Sequence, residues 1–169
     1  MITQKLQGEI HKLAVEKGWY SKGKRGRKEL LALLHSEVAE ALEDYRNGRM
    51  YTITENPSDP PYGSQLGETL SKPPFFKPVG FPSEIADIVI RAFDFKGAER
   101  SRQIADDACD PVIDLLQDIN KFIAMGDIDT AIALCYVIAA RQGFNLDDEV
   151  IKKHEFNKTR ASRHGGKVI

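Results

Sequence analysis

Residues 30–48 read LLALLHSEVAEALEDYRNG, and this stretch decides the fold class. Its apolar side chains recur every three or four residues, which is the spacing of one face of an amphipathic helix. The members of this stripe are Leu30, Leu34, Val38, Ala41 and Tyr45. Asn47 and Gly48 follow the last of them and predict the end of the helix there. The stretch therefore predicts a long helix with one buried face.

The same periodicity continues in both directions along the chain. It predicts a weaker helix over residues 3–17 and four more helices, which cover about residues 82–97, 111–126, 127–142 and 146–160. The helix over 127–142 is apolar almost all round, so we expect it to be central or to lie at a subunit interface. No segment shows a convincing strand alternation. We therefore predict an all-α helical bundle that forms a single domain over residues 1–169.

Residues 50–82 interrupt this helical pattern. Seven of the eight prolines fall within them, and proline breaks both helices and sheet ladders. An irregular connection of this length tends to be a functional lid or to be disordered. Aromatic side chains favour a segment that packs on something, namely Tyr51, Tyr62, Phe75 and Phe76. The stretch is therefore predicted to be a Pro-rich irregular loop between the two acidic helices, with a lid as one possible role.

Composition excludes several classes of function. The chain has 24 Lys and Arg against 25 Asp and Glu, so its charge gives no electrostatic case for a nucleic-acid binder. The longest apolar run, residues 131–140, is about half of what a membrane-spanning helix needs. The first residues mix charges and show no signal-peptide core. Cys109 and Cys135 lack the spacing of a redox or metal motif. We expect a cytoplasmic protein without nucleic-acid or membrane partners.

Two predicted helices each carry a pair of acids three residues apart. Glu37 and Glu40 lie in the predicted helix that ends at Asn47 and Gly48. Glu84 and Asp87 lie in the predicted helix over about residues 82–97. Residues at this spacing share one helix face, so both side chains can converge on one point. Like charges about 4 Å apart repel by about 4 kcal/mol at an effective dielectric constant of about 20, so protons or cations must enter. Carboxylate ligands without Cys or His favour Mg²⁺, with Mn²⁺ as a substitute.

Iron is disfavoured by the same pattern. Carboxylate di-iron bundles need Glu-x-x-His pairs. His35 lies two residues before Glu37, and neither acid pair has a histidine three residues on.

A third group of polar residues lies near the C-terminal end of the sequence. Lys153, Asn157 and Arg160 follow i, i+4, i+7 spacing and offer an ammonium, an amide and a guanidinium on one helix face. Such donors opposite an acidic metal site suit a phosphate chain. An ordinary basic helix end, favoured by the helix dipole, is the alternative for Arg160.

Two more residues are secondary candidates. Asp94 is a candidate for metal or base recognition, although a salt bridge to Arg91 is favoured. Trp19 is a candidate for stacking on a nucleobase, although a single tryptophan is more often part of the core.

The chain resembles the MazG-like, all-α nucleoside triphosphate pyrophosphohydrolases in three blocks, LLHSEVAEALEDYRNG, KPVGFPSEIADIVIRAFD and KHEFNKTRASRHGGK. Glu37 and Glu40 match the ExxE motif of this family, and Glu84 and Asp87 match its ExxD motif. The chain departs from the family in a longer gap between the two motifs and in an additional helical stretch over about residues 98–142.

This resemblance implies a hydrolase that cleaves a (d)NTP to the (d)NMP and pyrophosphate with Mg²⁺. The four acids would be metal ligands and catalytic groups, with Glu40 as a marginal choice of base. Lys153, Asn157 and Arg160 would bind the substrate phosphates. A homodimer or homotetramer is implied as well. The alternatives are a non-catalytic nucleotide- or metal-binding regulatory protein of the same fold and a purely structural helical module.

Overall fold

A computed structural model describes residues 4–21, 25–55, 77–97 and 111–160. The described residues form six helices, which are α1 (Gln4–Glu16), α2 (Arg27–Arg46), α3 (Phe81–Lys96), α4 (Val112–Met125), α5 (Ile128–Gln142) and α6 (Leu146–Thr159). The prediction of a mostly helical chain is confirmed. Each helix lies within a few residues of its predicted bounds, and Gly97, Gly126 and Gly143 end α3, α4 and α5 as glycine commonly does.

Two short strands are the difference from the sequence-based prediction. Strand β1 (Ile53–Glu55) pairs antiparallel with strand β2 (Lys77–Val79), and Ile53 lies opposite Val79. The prediction that residues 50–82 are irregular throughout is therefore wrong at both ends. Three residues are too few to show the alternation of apolar and polar side chains that indicates a strand. Pro78 also argues against a strand in β2, because proline has no backbone N–H to donate to the ladder. The possible lid falls mainly on residues 56–76, which lie outside the described residues.

The turn after β2 brings the chain close to the end of α2. Gly80 has a φ of 107°, and a side chain there would overlap the carbonyl oxygen of Tyr51. The amide of Phe81 donates to the carbonyl of Arg49 at 2.8 Å. Glycine is therefore required at Gly80, and this contact fixes where α3 begins relative to α2.

Helix α3 is the centre of the bundle. It packs against α1, α2, α5 and α6, and its apolar residues Ile85, Ala86, Ile88, Val89 and Ala92 are fully buried. Helix α5 packs mainly on α4 and α3, which agrees with the central position that was one of its two predicted positions, and the other, a subunit interface, stays a prediction. Cys135 of α5 is buried, and its burial raises the pKa of its thiol. Among the described residues, no helix combines the length and apolarity that a membrane crossing needs.

Candidate active site

The contact between α2 and α3 brings three of the four predicted acids together. Glu37 projects from α2, and Glu84 and Asp87 project from α3. One carboxylate oxygen of each lies within 4.8 Å of the others. Glu37 and Glu84 are buried, and Asp87 is partly exposed. Three converging oxygen ligands with one open side fit a hard divalent cation such as Mg²⁺ or Mn²⁺. We call these three residues the acid cluster.

Burial makes the acid cluster unfavourable when it is fully ionised. Desolvation, followed by the charge of Asp87, raises the pKa of Glu37 to about 7. Desolvation raises the pKa of Glu84 to about 7 as well, although Lys153 opposes this shift. Both groups are therefore partly protonated near neutral pH.

Glu40, the fourth predicted acid, is exposed. It lies outside the acid cluster but lines the cavity that opens beside it. The structure thus places Glu40 at the edge of the site, where a carboxylate keeps its solvation.

Lys153 is buried within the acid cluster itself. Its ammonium lies 2.7 Å from Asp87 Oδ2 and 3.8 Å from Glu84 Oε1, and only 2% of the side chain is exposed. It also donates to the carbonyl oxygen of Pro78 at 3.1 Å and to Ser83 Oγ at 2.9 Å. Despite the burial, the neighbouring carboxylates raise the pKa of Lys153. In this arrangement the ammonium neutralises carboxylates, and its predicted contact with phosphate stays a prediction.

Arg91 is the second internal cation. Its Nε donates to Glu37 Oε1 at 2.9 Å. The salt-bridge partner of Arg91 is therefore Glu37 of α2 and not Asp94, which the sequence favoured. Two cations, Lys153 and Arg91, thus pair directly with carboxylates of the acid cluster, and Lys77 and Arg160 also interact with its charges.

Asn157 and Arg160 lie on the wall of the adjoining cavity, as their spacing with Lys153 predicts. Asn157 Oδ1 is buried and has no hydrogen-bond partner among the described residues. Burial lowers the pKa of Arg160, whose guanidinium lies 5.7 Å from the centre of the Phe156 ring. Lys17, which directly follows α1, donates to the carbonyl oxygens of Lys158 and Arg160. These two hydrogen bonds hold the last turn of α6 in place.

The cavity has a volume of about 150 Å³, and its wall combines two kinds of side chain. Charged and amide groups are one kind, among them Glu37, Glu40, Lys77, Asp87, Arg91, Asp94, Lys153, Asn157 and Arg160. Apolar side chains of α1 together with Trp19 and Ile90 are the other kind. A wall that offers both kinds suits a ligand that has a polyanionic end and an organic end.

Sequence reasoning missed several residues of this site. Lys77 and Lys17 were not singled out because a lone lysine in a loop or at a helix end carries no pattern. Tyr20 and His11 are more than seventy positions from Asp94, with which they form hydrogen bonds at 2.9 Å. By contrast, His35, which was excluded as a ligand by its spacing, lies 2.7 Å from Asn120 Oδ1 and away from the acid cluster.

No family model, curated protein or solved structure matches this chain in comparisons with known proteins.

Proposed function

We propose that this protein is a Mg²⁺-dependent nucleotide pyrophosphohydrolase that cleaves a (d)NTP to the (d)NMP and pyrophosphate. The observation that carries the proposal is one cavity whose wall combines Glu37 and Asp87 of the acid cluster with Asn157 and Arg160. A phosphate chain needs both a divalent cation and fixed hydrogen-bond donors, and this cavity offers the residues for both.

The acid cluster is the part of the site that fits a metal. Glu37, Glu84 and Asp87 would hold the cation, and Glu40 lies near enough to the cavity to join them. Mg²⁺ held by these residues would supply charge stabilisation for phosphate oxygens and would lower the pKa of bound water. Because the pKa values of Glu37 and Glu84 are raised to about 7, binding of the cation would displace the protons that these two groups carry.

The chain's own cations and amide would position the substrate. Arg160 neutralises charge on the phosphates, where negative charge accumulates in the transition state. Asn157 lines the same cavity, and the NH₂ group of its side-chain amide would donate to a phosphate oxygen. Lys77 adds a further positive group at the cavity wall.

Pyrophosphate release is the direct test. The purified protein is incubated with each common NTP and dNTP at millimolar Mg²⁺, and pyrophosphate and phosphate are measured separately. We expect pyrophosphate and the monophosphate in equal amounts. Release of phosphate alone would contradict the proposed bond cleavage. A rise in melting temperature with Mg²⁺ and nucleotide but no product would favour the non-catalytic regulatory alternative.

A matched pair of variants on α2 tests the acid cluster. Glu37→Gln removes one carboxylate of the cluster, and Glu43→Gln removes an exposed carboxylate from the same helix. We expect Glu37→Gln to lower kcat/KM about 100-fold, the scale of losing one electrostatic group in an active site, and Glu43→Gln to leave it unchanged. Mg²⁺ at about 100 times its Kd should stabilise the wild type by about 2.7 kcal/mol. The same Mg²⁺ response in both variants would exclude Glu37 as a ligand.

A further inference from the structure

Asp94 of α3 lines the cavity together with apolar side chains, which are Ile10, Leu13 and Ala14 of α1 and Trp19. Apolar walls with a small number of placed polar groups are typical of a pocket for an organic ligand, and the polar groups set its orientation and specificity. Because Asp94 lies outside the acid cluster, its carboxylate is free to serve such a purpose.

Two hydrogen bonds hold the Asp94 carboxylate in one orientation. The hydroxyl of Tyr20 donates to Asp94 Oδ1 at 2.9 Å, and His11 Nδ1 lies 2.9 Å from the same oxygen. Because Oδ1 accepts from Tyr20, His11 Nδ1 is assigned as the protonated nitrogen and donates as well. The rings of His11 and Tyr20 meet edge to face with centres 5.3 Å apart. These contacts leave little freedom for the carboxylate to rotate.

The other oxygen of Asp94 has a different environment. Oδ2 accepts no hydrogen bond from the described residues, although only 5% of Asp94 is exposed. A carboxylate oxygen can only accept, so Oδ2 at the cavity wall is available to a donor from water or from a ligand.

The position of Asp94 along α3 relates it to the acid cluster. Asp94 follows Asp87 by seven residues, which corresponds to a rise of about 10.5 Å along a helix. This separation is comparable to the span of a nucleoside from its 5′ oxygen to the far edge of its base. A nucleotide with its phosphates at the acid cluster would thus bring the edge of its base to Asp94.

We propose that Asp94 selects the base of the substrate, and that the cavity takes nucleoside triphosphates whose base has an amino group where Oδ2 accepts, namely cytosine or adenine. This inference rests on the proposed function. Cytosine N4 and adenine N6 are donors, whereas uracil, thymine, guanine and hypoxanthine present a carbonyl oxygen at the corresponding position. A carbonyl oxygen of the base that faced Asp94 Oδ2 would place two hydrogen-bond acceptors next to each other, with no donor between them.

Two pairs of substrates that differ only in this group test the proposal. CTP is compared with UTP, and ATP is compared with ITP, by kcat/KM for pyrophosphate release. We expect the wild type to prefer the amino-bearing member of each pair by about 10- to 100-fold, the range given by one base-specific hydrogen bond. Equal kcat/KM values within both pairs would overturn the proposal without the need for any variant.

Asp94→Asn provides a sharper test because it should invert the preference. Tyr20 and His11 both donate, so they should retain the amide oxygen and turn the NH₂ group towards the cavity. The variant should then favour UTP over CTP and ITP over ATP. A variant that is folded and keeps the wild-type preference would overturn the proposal, since a merely structural Asp94 would lower all four rates alike.

Two control variants separate base selection from general damage. Tyr20→Phe keeps the carboxylate and should keep the direction of the preference. Asp118→Asn removes a half-exposed carboxylate of α4 and should change nothing. Inversion of the preference by either control would show that Asp94 is not the selecting group.

A binding measurement distinguishes failure of this inference from failure of the proposed function. Trp19 is the single tryptophan of the chain and lines the cavity, so its fluorescence reports binding directly. Non-hydrolysable α,β-imido analogues of CTP and UTP are titrated against the wild type with Mg²⁺. If no triphosphate releases pyrophosphate, the proposed activity fails, and the ratio of the two Kd values still decides whether Asp94 selects the amino group. Equal Kd values would overturn the inference alone.

Discussion

A single lysine governs the charge of the acid cluster. Lys153 is 2% exposed, and its ammonium lies 2.7 Å from Asp87 Oδ2 and 3.8 Å from Glu84 Oε1. Removing one partner of a buried ion pair costs about 3–5 kcal/mol, because the remaining charges are left without compensation. Lys153 is therefore a determinant of folding as well as a candidate for phosphate binding, which its position in the sequence could not distinguish.

Replacement of this lysine should make folding depend on metal. Lys153→Met keeps most of the side-chain volume, and we expect it to lower the unfolding free energy of the metal-free protein by about 3 kcal/mol. Saturating Mg²⁺ should restore part of the loss, since the cation supplies the missing positive charge. Denaturant unfolding with and without Mg²⁺ measures both quantities. Lys152→Met, at a neighbouring exposed position, is the control. An identical loss in both conditions would instead assign the effect to the hydrogen bonds with Pro78 and Ser83.

At the scale of elements, the two ends of α6 have separate roles. Asn145 caps the first turn by accepting from the amides of Asp147 and Asp148. The last turn is held by Lys17 and presents Arg160 to the cavity. The first end thus contributes to stability, and the second contributes to the site.

Substitutions at the two ends should have opposite consequences. Asn145→Ala should lower the unfolding free energy by about 1 kcal/mol and leave kcat/KM per folded molecule unchanged. Arg160→Ala should lower kcat/KM by a factor that corresponds to a loss of roughly 2–4 kcal/mol of transition-state stabilisation. The unfolding free energy should change much less. Melting temperature and pyrophosphate release are measured for both variants. Full activity in folded Arg160→Ala would remove this residue from the site.

At the scale of the whole molecule, stability is linked to pH through the acid cluster. The pKa values of Glu37 and Glu84 lie near 7, above the ordinary value of 4.5. Between these pH values the folded state retains protons that the unfolded state releases, so the two groups lower the unfolding free energy as pH rises through about 4.5–7. Buried His154, whose pKa is lowered, opposes this trend below its ordinary value of 6.5.

The Mg²⁺ effect isolates the acid cluster because His154 contributes with and without metal. Mg²⁺ must displace the protons of Glu37 and Glu84, so its apparent affinity should rise by up to about 10-fold per pH unit for each proton displaced. At a fixed Mg²⁺ concentration, the metal-induced rise in melting temperature should be small at about pH 5 and should level off above about pH 7.5. A response independent of pH would show that these two carboxylates do not bind the cation.

The helices could be predicted from the sequence, whereas much of the site could not. Helical periodicity depends on neighbours three or four residues away, so α2 and α3 and their paired acids were accessible to it. The contacts of Lys153 with Asp87 and of Asp94 with Tyr20 join residues that are distant in sequence, and only packing brings them together. The β1–β2 pair was missed because three-residue strands carry too little pattern.

This β-ladder also affects the free-energy cost of a longer connection between its two strands. Ile53 pairs with Val79, so the segment between β1 and β2 begins and ends at one pair of hydrogen-bonded strands. Lengthening a segment closed at its stem raises the loop-closure free energy only with the logarithm of its length. The free-energy cost of a longer connection between Glu55 and Lys77 thus grows slowly with its length, while the β1–β2 pairing keeps its two ends together.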